Sequence, residues 1–220
     1  MNRNRELLVT FLMAAALVCM APGLANAQFP GGVPGFPGGV PGLGGGSGGK
    51  VDGKGVEKKL NELLSLTSRA IAAFSGAIGM KEEADEMTKT ADCLKAGTCN
   101  GADKLSVITE TGDKMTAKIA DLQQKKIKLE ANAGKRAAEG LPPAVASFPK
   151  WKEIIDEAKK LSQDKSAAMQ FPSLIGAVPK LPAAVENQGK MVNSGIDYLS
   201  FSGINHGVKP VDAKAVLSGV

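Results

Sequence analysis

The chain has 220 residues, with 27 Lys and Arg against 22 Asp and Glu, a single His, three Cys, and one each of Trp and Tyr. A formal charge of +5 is too mild for a nucleic-acid footprint, and 4% aromatic residues supply neither base-stacking platforms nor an aromatic sugar-binding cleft. One histidine rules out a two-histidine zinc motif, and the chain has neither a CxxCH haem attachment nor a phosphate-binding glycine loop before a lysine.

The first 27 residues have the pattern of a cleavable export signal. Arg3 and Arg5 precede an apolar stretch from Leu7 to Ala21, Pro22-Gly23 breaks it, and Ala25-Asn26-Ala27 is a small-x-small cleavage site ahead of Gln28. The apolar run is about 15 residues, short of the roughly 20 that span a bilayer. Cys19 follows Val18 inside that run, which does not fit a lipidation site. Cleavage removes Arg3, Arg5 and Glu6 and leaves 193 residues with 25 basic and 21 acidic side chains. The expected location is the periplasm of a bacterium or the medium around it.

Residues 28–55 are rich in Gly and Pro and contain an identical tandem repeat, FPGGVPG at 29–35 and 36–42. Proline removes backbone donors and glycine maximises chain entropy, so a disordered tether is expected there. Phe29, Val33, Phe36 and Val40 recur between Pro-Gly turns, which suits a spacer or weak multivalent contacts.

After residue 56 the chain is rich in Ala, Lys, Leu and Glu, which favours helix, and no sheet is expected. A first helix is predicted over 56–94. Leu60, Leu63, Thr67, Ala70, Phe74 and Ala77 recur at intervals of three and four, and Met80, Ala84, Met87, Ala91 and Leu94 resume the stripe after a slip at Gly76 and Gly79. The small residues Ala72, Ala73, Gly76, Ala77 and Gly79 suit close helix packing, with membrane insertion of the 70–80 segment as the alternative. Glu82, Glu83, Asp85 and Glu86 read as a solvated face, since a contiguous helical cluster lacks the looped ligand geometry of a calcium site. Met80, Met87 and Met115 read as core filler rather than copper ligands.

Cys93 and Cys99 lie six residues apart, about 240° around a helix, so a bond between them requires a turn, and Gly97 and Asn100-Gly101 are turn residues. A structural disulfide at this point suits an oxidising compartment. A second helix is predicted over 103–139 from the heptad-like run Leu105, Ile108, Gly112, Met115, Ile119, Leu122, Lys126, Leu129 and Ala133, ending at Leu141-Pro142-Pro143. Lys118, Lys125, Lys126, Lys128, Lys135 and Arg136 gather positive charge toward its end, with Asp121 and Glu130 interspersed.

A third helix starts near Pro149 and carries Trp151, Ile154, Ile155, Ala158, Leu161 and Ala168 on one face, closing at Phe171-Pro172. Leu181-Pro182 opens a fourth with Val185, Gln188, Val192, Ile196 and Leu199, fading at Ser202-Gly203, and residues 204–220 are expected to form a loose tail. His206 lies in that tail, where it can hardly serve a Ser-His-acid arrangement.

The predicted fold is thus all-α: an elongated antiparallel bundle of about four helices over 56–203, with a long first hairpin, behind the Gly/Pro leader. No catalytic, cofactor-binding or metal residue emerges, and the disulfide pair Cys93 and Cys99 is the one site predicted. A non-enzymatic envelope or extracellular interaction protein is the function expected, with another envelope protein or a second copy as partner and no nucleic acid. Stable membrane insertion is not expected. A membrane-active helical protein, such as a secreted toxin or pore former, and a small-ligand or metal carrier are the alternatives.

Overall fold

The computed structural model describes residues 51–218, so the predicted export signal and most of the predicted Gly/Pro tether, both repeats included, lie outside the described residues. These residues belong to one compact unit that is all helical, with nine α-helices and no strand among them. They are α1 (Gly53–Ala77), α2 (Lys81–Ala96), α3 (Gly101–Gln124), α4 (Ala131–Ser147), α5 (Lys150–Ser162), α6 (Lys165–Gln170), α7 (Pro172–Ala177), α8 (Leu181–Ser202) and α9 (Ala213–Leu217). Most positions of the apolar stripes read from sequence lie on the buried faces, while Lys126 is exposed and Ala77, Met80, Ala84, Leu122 and Ala133 are only partly buried. Leu60, Leu63 and Phe74 of α1, Ile108 and Ile119 of α3, Trp151 and Ile155 of α5, and Val192 and Leu199 of α8 are all at most 3% exposed. Each such side chain contributes about 1.5–3 kcal/mol by leaving water.

The predicted first helix is two helices. Gly79 adopts φ 85, and Met80 N–H donates to Ser75 O at 2.8 Å, which ends α1 and reverses the chain. The slip at Gly76 and Gly79 is therefore a break, and α2 folds back along α1. Ser65 Oγ donates to Ala91 O at 2.9 Å, and Arg69 lies 3.2 Å from Asp92. The small-residue face of α1 is used for close packing: a Cβ on Gly140 of α4 would stand 3.0 Å from that of Ala73, and one on Gly76 would stand 3.7 Å from that of Ala84 on α2.

The predicted second helix also divides. Ile127 N–H donates to Leu122 O and Lys126 N–H to Gln123 O, with Lys126 in the left-handed region at φ 57. This pair of bonds is the Schellman motif, with lysine where glycine usually sits. Sequence placed a helix stop at Pro142-Pro143, yet both prolines lie inside α4. Their φ is compatible with helix, they face solvent, and Leu141 and Ala144 on either side are fully buried, so tertiary packing holds the helical path despite the lost donors.

From its start α3 runs parallel to α1. Gly101 N–H donates to Asn61 Oδ1 at 2.7 Å, and Gly112, a helical repeat further on, faces Ile71. The predicted third helix ends at Ser162. Asp164 then caps α6 by accepting from Ser166 and Ala167, which moves Ala168 off the face expected for it. The fourth helix keeps its predicted ends, and Gly203 (φ 78) terminates it. The segment after it, expected to be loose, lies back along α8. Asn193 bonds both backbone atoms of Val211, and Val208, Val211, Val216 and Leu217 pack partly on the core.

Candidate functional site

Where α1, α3, α5 and α8 meet, the only tryptophan pairs with one buried amide. Trp151 projects from α5 on the buried face that its spacing predicts, and its Nε1–H donates to Gln188 Oε1 of α8. Gln188 is 4% exposed, and its Nε2 has no acceptor among the protein atoms described. A cavity of about 20 Å³ lies against this pair, lined also by Leu64, Thr67, Ile108, Gly112 and Met191. That volume is the room of one water molecule, with Gln188, Thr67, Thr109 and Asn187 as the polar residues of the lining beside Trp151, and it is too small for an organic ligand. Gln188 was legible as a stripe position; its pairing with a residue 37 positions away was not.

His206, placed by sequence in a mobile tail, is held on both ring nitrogens. Nε2 lies 3.0 Å from Ser200 Oγ, and Nδ1 accepts from Val208 N–H at 3.4 Å. In the neutral tautomer that accepts at Nδ1 from Val208, the proton sits on Nε2 and is donated to the serine. A general base needs the opposite tautomer, with Nε2 free to take the hydroxyl proton and Nδ1–H held by an acid. The pair is a clasp for the chain reversal after α8.

No protein family, curated protein or solved structure matches the chain.

The cysteines join as sequence predicted, with Cα atoms 5.4 Å apart. The disulfide closes the connection from α2 to α3, where Gly97 takes φ 68 and Asn100 caps α3 by accepting from Ala102 N–H. Sequence did not show that α1 fastens this loop. Asn61 accepts from Gly101 N–H and donates to Cys99 O, and Asn100 Nδ2 donates to Glu57 at 3.0 Å. The result is a covalently closed corner held against the bundle.

The charged groups lie on the surface. Glu82 and Glu83 sit in the first turn of α2, where the helix dipole favours acids. Among the described residues no group of His, Cys, Asp and Glu is placed to hold a metal ion. Met87 and Met115 are buried core residues. Lys59 reaches from α1 to α5, 2.7 Å from Glu153 and 2.8 Å from Glu157. Partial burial alone would lower its pKa; the hydrogen bonds to both glutamates outweigh that and hold it above the usual lysine value. Lys125, Lys126 and Lys128 surround Ile127, which is 48% exposed at the α3–α4 turn.

Proposed function

We propose that this chain is an exported, non-enzymatic interaction protein of the bacterial envelope or its surroundings, acting through the surface of its helical bundle. The observation that carries the reading is the corner at Cys93–Cys99. The disulfide, joined in the fold and fastened to α1, suits an oxidising compartment, and the export-signal pattern of residues 1–27 points to the same place. Val208 N–H, rather than a carboxylate, lies against His206 Nδ1, which suits a structural clasp over a Ser-His-acid arrangement. The Trp151–Gln188 cavity in the core has no room for a carried organic ligand.

The test is in-cell crosslinking of the full chain with a C-terminal tag, followed by mass spectrometry of the captured complexes. A reproducible envelope protein as partner is the expected result, with the captured chain beginning at Gln28. A chain that keeps its first 27 residues and stays in the cytoplasm would overturn the reading.

A further inference from the structure

The segment after α8 is attached in an unusual way. Residues 204–217 leave α8 at Gly203, reverse, and run back along it, so that Val211 lies beside Asn193 and Ala213 beside Gly189. Val211 N–H donates to Asn193 Oδ1 at 2.8 Å, and Asn193 Nδ2 donates to Val211 O at 2.9 Å. Both strap atoms belong to the backbone, so Asn193 recognises an extended chain in the way a neighbouring strand would. Gly189 makes the close approach possible, because a Cβ there would stand 2.9 Å from that of Ala213. Val208, Val211, Ala213, Val216 and Leu217 each pack partly on the core, and none of them is fully buried. The reversal itself uses two glycines with positive φ, Gly203 and Gly207, and the His206 clasp between them.

We propose that this strap exchanges between two copies of the chain, each copy laying its 208–217 segment along α8 of the other. The occupant follows from the fold. Every copy carries the segment that already fits the groove, and the Asn193 and Gly189 contacts are the same whether the strap arrives from its own chain or from a second one. Five residues, 203–207, form the hinge and span about 17 Å when extended. Its two glycines adopt the folded-back or the extended geometry without steric penalty. The contacts given up are those of His206, together with the packing of Ile204 against Gly134 and its bond to Leu199 O where the hinge opens from Gly203. This inference rests on the reading of the chain as an interaction protein and assigns part of that interaction to self-association.

The test uses mature full-length protein prepared in heavy- and light-isotope forms, concentrated together and treated with a lysine crosslinker. Lys190 and Lys214 are exposed and adjoin the contacting pair Gly189 and Ala213, so they report strap docking directly. The expected result is crosslinks between heavy Lys190 and light Lys214, and the reverse, falling several-fold in Asn193→Ala. Deleting Asn205 and His206 shortens the hinge and should raise the mixed crosslinks several-fold, a readout that does not require the Asn193 variant to fold. Same-isotope crosslinks alone would overturn the proposal, as would mixed crosslinks indifferent to both changes. Capture of an envelope partner in cells with only same-isotope crosslinks would sink strap exchange and leave the interaction role standing.

Discussion

Tyr198 hangs from α8 with 1% of its surface exposed and donates its hydroxyl to Ile127 O at 3.1 Å, tying α8 to the α3–α4 turn. Burial pushes the phenol above its usual pKa, because the phenolate is poorly solvated there. The folded state therefore keeps its proton where the unfolded chain, with a value near 10, begins to lose it. The stability from the neutral phenol is complete below about pH 10 and declines as pH rises from there through the folded value. Tyr198→Phe should cost about 1 kcal/mol at pH 8, the worth of one hydrogen bond. Its disadvantage should shrink above pH 10 in denaturant titrations. Tyr198 is the only tyrosine, so tyrosinate absorbance follows it alone. Gln188 presents a second case at this scale. Gln188→Leu leaves Trp151 Nε1–H buried without an acceptor and should cost about 1–3 kcal/mol. Combined with Trp151→Phe, the loss should fall short of the summed single losses by about 1 kcal/mol, which a double-mutant cycle in urea measures.

Helix ends decide how these residues are brought together, and four of them share one device. α1, α2, α3 and α8 each close with a bond from the sixth residue back to the first, across a position with positive φ: Gly79, Gly97, Lys126 and Gly203. Lysine in the left-handed region costs about 1–2 kcal/mol that glycine does not. Lys126→Gly should therefore stabilise the protein by about 1 kcal/mol, net of the greater entropy of glycine in the unfolded chain, read as a higher urea midpoint at unchanged slope. The same ends explain what could be read from sequence. Periodic burial placed Leu60, Phe74, Ile119, Trp151 and Leu199 in the core because a stripe needs only local spacing. The stop at Lys126 was invisible because no glycine marks it, and Pro142-Pro143 misled because the burial of Leu141 and Ala144, which comes from other helices, outweighs a local rule. The disulfide was legible for the opposite reason, since geometry forbids it on one continuous helix. It closes a short loop and contributes about 2 kcal/mol by the chain-entropy estimate. Its reduction, or replacement of both cysteines by serine, should lower Tm by about 4–8 °C, and a thermal melt with and without reductant checks this.

For the whole molecule, the question is whether the bundle can act on a membrane as folded. The segment from Ala70 to Met80 is the most apolar and smallest-residue part of the chain after the leader, and in isolation it suggests insertion. In the bundle it is already engaged. Ala70, Ile71 and Phe74 are each 1% exposed, Gly140 of α4 stands against Ala73, and α2 folds back over Gly76. Among the described residues no helix is long and apolar enough to cross a membrane. Freeing this stretch means removing α4 and α2 from α1, and with them the Phe74 ring from its seat on Gly195, where a Cβ would stand 2.7 Å away. That is loss of the central core rather than the opening of a flap. The mature protein should accordingly release no dye from liposomes while its near-ultraviolet circular dichroism is native, whether the lipids are neutral or anionic. Leakage should begin only under conditions that abolish the Trp151 signal. Robust leakage by protein with a native Trp151 signal would show that a surface outside this core engages lipid, and would favour a membrane-active protein over an interaction partner.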